Sequence, residues 1–152
     1  MTLTPAYAER LGVPLRWWVQ GTMLVATLWL AVVVALPAPA AWIVTLVALG
    51  LMAFLLVAIG SARIVVSDGE FRAGRAHIGA EHLGTATALD AEETRRTAGV
   101  DADARAYLLL RPYLKRAVKV EITDPADPAP YWLVATRHPE ELARALTALS
   151  RT

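Results

Sequence analysis

The sequence predicts a membrane α-helical hairpin joined to a β-rich (α+β) domain, and three observations predict it. Residues 17–36 and 41–59 carry no charged side chain, and only Pro37-Ala38-Pro39-Ala40 separates them. Beyond residue 60 the pattern turns to short apolar–polar alternations punctuated by glycine. A single amphipathic stripe then closes the chain.

The apolar runs come first. A bilayer core about 30 Å thick takes roughly 20 residues of helix at 1.5 Å each, and both runs reach that length. A four-residue turn can only return the second helix beside the first. The first run is too long for a secretory signal, whose apolar stretch covers about 7–15 residues, and a second span follows at once. Arg10 and Arg16 precede the hairpin, Arg63 follows it, and the turn is uncharged. The positive-inside rule then sets both termini in the cytoplasm, and the expected location is the inner (plasma) membrane. Trp17, Trp18 and Trp42 stand at the span ends, where the amphipathic indole favours the headgroup level. Ionisable groups, the usual mark of an ion or proton path, are missing from both spans.

The expected organisation is therefore an N-terminal interfacial segment (1–16), a two-helix hairpin (17–59) and a cytoplasmic β-rich domain (60–152). Setting aside Arg10, Arg16 and Glu9, the remainder holds thirteen basic and thirteen acidic residues. That balance lacks the basic excess of nucleic-acid-binding domains. The chain has no cysteine, which excludes disulfides, thiolate metal sites and cysteine nucleophiles.

Within the domain, strands are expected at 63–66, 70–73, 76–78, 83–89, 106–110, 116–123 and 131–136. Asp68-Gly69 is a favoured two-residue hairpin turn, and Gly74-Arg75 makes a second. Residues 116–123 alternate cleanly, with Val118, Val120 and Ile122 on one face. Residues 90–99 are polar and read as a loop or a short surface helix. Residues 124–130, with three prolines and two aspartates, form a turn. Pro139 opens the last helix, Glu140 and Glu141 suit its first turn, and Leu142, Ala145, Leu146 and Leu149 make its stripe. Seven short strands followed by a helix is the element order of a pleckstrin-homology-like small barrel, which is a fold-level analogy only.

Candidate chemistry is sparse. His77, His82 and His138 have no zinc-pair spacing, and no nucleophile elbow accompanies them. Asp101, Asp103, Asp124 and Asp127 are the available carboxylates, without the alternation of a calcium loop. No cofactor or metal is expected, and the chain reads as non-enzymatic. Arg111, Tyr113, Lys115, Arg116 and Lys119 gather around a turn suited to an anionic headgroup or an acidic partner. Of Tyr131 and Trp132, on opposite faces of one strand, one is expected to be core and the other, Trp132, a surface aromatic for a partner. The expected partners are the lipid bilayer and a protein or membrane complex, with no nucleic acid; the alternative is an anionic-lipid or small-ligand sensor at the inner membrane face, and the second alternative is an enzyme.

The chain also resembles an actinobacterial family of two-pass membrane proteins of unknown function, domain of unknown function 3093. The resemblance rests on Tyr7-Ala8-Glu9-Arg10-Leu11 with Pro14 and Trp17-Trp18, then Gly60-Ser61-Ala62-Arg63. It continues through Ala106-Tyr107-Leu108-Leu109-Leu110-Arg111-Pro112-Tyr113, Asp124-Pro125-Ala126-Asp127-Pro128 and Pro130-Tyr131-Trp132-Leu133-Val134. It implies a membrane location and a tethered domain, and brings no catalytic residues.

Overall fold

A computed structural model of the protein describes residues 4–152. The chain divides into two units, a helical pair spanning 12–61 and a β-rich unit built from the segment before it and everything after it.

In the helical unit, α1 (Leu15–Ala35) and α2 (Ala38–Gly60) are joined at Pro37, which lies in extended backbone before α2. Proline cannot continue α1 but suits the start of α2, so the Pro-Ala turn both stops one helix and opens the next. The helices pack through small side chains: a Cβ added at Gly21 would run into Met52. Trp29 and Trp42 meet at 6.0 Å between ring centroids. Both helices are long and apolar enough to cross a membrane, and only 6% and 17% of their most apolar stretches are buried. Of the expected anchors, Trp17 and Trp18 are half-buried near the start of α1, and Trp42 is exposed near the start of α2.

The β-rich unit contains all seven expected strands and one more. Strand β1 (Tyr7–Arg10) pairs antiparallel with β2 (Arg63–Ser67), in register Tyr7↔Val66 to Arg10↔Arg63. Within the segment 1–16 expected at the interface, Tyr7–Arg10 are thus a strand of the β-rich unit. Residues 7–10 complete a sheet, and the helical pair is inserted between two neighbouring strands. At the junction Leu11 N–H donates to the carbonyl of Ala62 at 3.0 Å. Four residues with Tyr7 and Glu9 turned inward are too short for a periodic signal, and their partner lies beyond the hairpin.

Two tight turns continue the sheet into β3 (Glu70–Ala73) and β4 (Ala76–Gly79), giving the order β1-β2-β3-β4. Asp68 and Gly69 both take positive φ, 52° and 75°, as a type I′ hairpin turn demands. A single 3-10 turn then leads into a second sheet. It comprises β5 (Leu83–Leu89), β6 (Tyr107–Leu109), β7 (Ala117–Ile122) and β8 (Tyr131–Ala135), in the order β5-β7-β8-β6. β6 runs parallel to β8, whereas the other pairings are antiparallel. The strands thus form two four-stranded open sheets, not the closed barrel expected from the strand count.

Residues 90–99 settle as helix. α3 (Ala91–Ala98) carries a capping box: Glu93 N–H donates to Asp90 Oδ1 at 2.8 Å, and Asp90 N–H donates to Glu93 Oε2 at 3.0 Å. α4 (Pro139–Leu149) lies against β5 and β7 of one sheet and β1 and β2 of the other. Its stripe supplies Leu142 and Leu146, both fully buried. They join Leu11, Ile64, Val66, Phe71, Val118 and Val120 in one core between the sheets. Burying a leucine side chain contributes about 1.5–3 kcal/mol, so the helix is held chiefly by these contacts.

Candidate functional site

Two places in the β-rich unit gather polar chemistry with shape. The first is a groove of about 750 Å³ between α3 and the segment 110–115 that joins β6 to β7. The capping box fixes where α3 begins, and so sets Thr94 and Ala98 toward this segment. Leu110, Pro112 and Leu114 line the opposite wall, and Arg95, Arg111 and Lys115 supply the cations. Glu92 is the one acid among the lining residues; it pairs with Arg95 at 2.9 Å.

Thr94 is 6% exposed, and its hydroxyl has no hydrogen-bond partner. Three residues on, Thr97 behaves as helical threonines usually do, its hydroxyl donating to the Glu93 carbonyl at 2.8 Å. Leaving a buried hydroxyl unpaired costs about 1–3 kcal/mol.

The second place is a polar knot around Glu9, whose side chain is 9% exposed. Tyr7 donates its hydroxyl to Glu9 Oε2 at 2.7 Å, and Thr136 Oγ1 donates to the same oxygen. Glu9 Oε1 accepts from the Arg137 backbone N–H at 3.1 Å and pairs with that guanidinium at 3.6 Å. Burial, followed by the hydrogen bond to Glu9, raises the Tyr7 hydroxyl well above the ordinary tyrosine range. A carboxylate bonded from several sides ties strands together. Its bonds to Thr136 and Arg137 run from β1 to the segment after β8, so the knot reads as a structural latch.

The residues expected around the basic turn do not form one patch. Arg111 and Lys115 line the groove. Tyr113 turns away from it and donates its hydroxyl to the Leu11 carbonyl at 2.5 Å; desolvation raises that phenol above its usual range. Arg116 reaches the start of α4, donating to the Arg137 carbonyl at 2.8 Å and lying 3.8 Å from Glu140. Lys119 sits 4.6 Å over the Tyr131 ring. It lines a smaller recess of about 420 Å³ with Thr85, Thr87, Arg96 and Glu121.

Trp132 is not a surface aromatic. It is 4% exposed and packs 5.8 Å from Phe71 and 5.1 Å from Tyr107. Tyr131 on the opposite face is also buried, against Ala117 and Leu133. β8 is an interior strand covered on both faces, so neither ring reaches solvent.

The other titratable candidates stand apart. His77 is on β4, His82 lies 3.7 Å from Glu81, and His138 precedes α4. Asp124 and Asp127 cap their own turns, accepting from Ala126 and Ala129 N–H at 2.8 Å each. Asp103 pairs with Arg105 at 3.1 Å, a hydrogen bond that lowers its carboxyl below the ordinary range. No sequence pattern by itself singles out Thr94, Arg95 or Leu114. The Asp90-x-x-Glu93 capping box is the signal that phases α3 and leads to them.

A pair of long apolar helices inserted into a two-sheet α+β unit defines the class of this protein. The family model for DUF3093, a protein of unknown function, matches residues 6–146, and the chain belongs to that family. No curated protein and no solved structure matches the chain.

Proposed function

We propose that this is a non-enzymatic, two-pass protein of the inner (plasma) membrane whose tethered cytoplasmic domain binds a protein partner. The apolar surface of the helical pair carries the reading. Val34 is 88% exposed, Phe54 72% and Leu24 71%, a surface that water tolerates poorly and acyl chains solvate well. A core helix of a soluble protein hides most of its surface, and these do not. The arginines on one side of the hairpin support cytoplasmic termini. A β-rich unit that ends in a helix packed on both sheets supports the pleckstrin-homology-like analogy.

The partner reading rests on charge. The β-rich domain is balanced, and the recess beside Lys119 mixes Arg96 and Lys119 with Glu93, Asp101 and Glu121. Interspersed charges of both signs suit a complementary protein surface better than a uniformly anionic leaflet. A two-helix anchor also leaves little for headgroup affinity to add.

Reporter fusions at Thr152 and within residues 37–40 test the topology, and opposite compartments are expected. A photo-crosslinking residue at Thr87, exposed beside this recess, should yield one discrete protein adduct in cells. Thr87 adducts with lipid alone would overturn the partner assignment.

A further inference from the structure

We propose that the groove between α3 and residues 110–115 binds a small single-chain amphiphile with an anionic head group. The claim is independent of the protein partner, whose recess lies around Lys119.

Three observations converge on it. The volume, about 750 Å³, lies within the roughly 300–1,000 Å³ of small-molecule sites. It suits one short apolar chain rather than a two-chain bilayer lipid. Leu110 and Leu114, with Ala98 across from them, offer that chain an aliphatic bed. The charged lining residues are three cations and one acid, in a β-rich domain whose charges balance as a whole. Arg95 and Lys115, both exposed, stand on opposite walls of the groove; Glu92 already pairs with Arg95 at 2.9 Å, so Lys115 is the cation that an anionic head would meet first.

Thr94 adds a polar group with no present role. Its hydroxyl is buried and unpartnered on a residue that lines the groove. A change of χ1 rotamer would offer that hydroxyl to a bound head group without moving the helix. An apolar bed, a cationic rim and a spare hydroxyl together match a molecule with a short tail and a phosphate or carboxylate head.

The full chain in phosphatidylcholine nanodiscs is titrated calorimetrically with octyl phosphate, with empty nanodiscs subtracted. One saturable site per chain is expected. Octanol and inorganic phosphate should each bind at least tenfold more weakly, because each lacks one half of the recognition. Lys115→Glu, on an exposed side chain, should cost at least tenfold in affinity with the near-ultraviolet spectrum unchanged. Thr94→Val keeps the shape and removes the hydroxyl, so it should weaken binding about threefold while the melting temperature holds or rises. Heat no greater than that of empty nanodiscs, octanol binding as well as octyl phosphate, or an unchanged Lys115→Glu affinity would overturn the proposal. Nanodiscs containing phosphatidylglycerol identify the source. Affinity retained there supports a free amphiphile, and full competition overturns it in favour of a bilayer headgroup.

Discussion

Glu9 and Thr136, 127 positions apart, share a hydrogen bond that joins the first strand to the residue after the last one. Tyr7 donates to the same carboxylate oxygen, and Tyr7 and Thr136 also lie 3.0 Å apart. The two ends of the β-rich unit are thereby latched together. The latch is buried, so its bonds are shielded from competition with water.

Glu9→Ala should therefore destabilise the β-rich unit by about 2–3 kcal/mol, since hydrogen bonds to a charged group are the stronger kind and their donors lose it together. Urea unfolding of the full chain in detergent measures it. A midpoint within error of the parent would mean the knot contributes nothing.

Tyr7 gives that latch a pH dependence. Its folded proton is held well above the unfolded value of 10.0. Its contribution is thus complete below about pH 10 and falls as the pH climbs toward the raised folded value, because the unfolded chain releases the proton first. Tyr7→Phe removes this component, so the gap in melting temperature between parent and variant should narrow above pH 10. A constant gap would refute the assignment.

A chain beginning at Arg63 should fold poorly, because it lacks β1 and the fully buried Leu11. The ends to be rejoined are already hydrogen-bonded, Leu11 N–H to the Ala62 carbonyl at 3.0 Å. Joining residues 4–11 to 62–152 through a short glycine-rich turn should yield a dispersed, native-like NMR spectrum. Equal spectra for the two versions would show β1 to be dispensable.

The helix stripe should be graded. Leu146 is 1% exposed, and its replacement by alanine should cost about 2–5 kcal/mol. Leu149 is only half-buried, so Leu149→Ala should cost clearly less. Equal losses from the two variants, read by thermal unfolding, would contradict the packing of α4.

The elements readable from sequence are those whose signal is local. Two charge-free runs with a Pro-Ala turn specify the helical pair, because helix length and the breaking power of proline need no tertiary partner. Asp68-Gly69 marks its hairpin through the positive φ it tolerates, and Leu142 with Leu146 marks the buried face of α4 through the helical period. Tertiary structure alone decided the rest. The segment 7–10 becomes a strand only because β2 lies beside it, and no local pattern reports a partner across an inserted hairpin. Trp132 is core because both faces of β8 are covered, a property of the sheet and not of the Tyr-Trp pair. Lys115 lines the groove while its neighbour Arg116 reaches the start of α4, a division set by what α3 and α4 place on either side of the segment. The groove exists only where α3 comes to stand opposite residues 110–115.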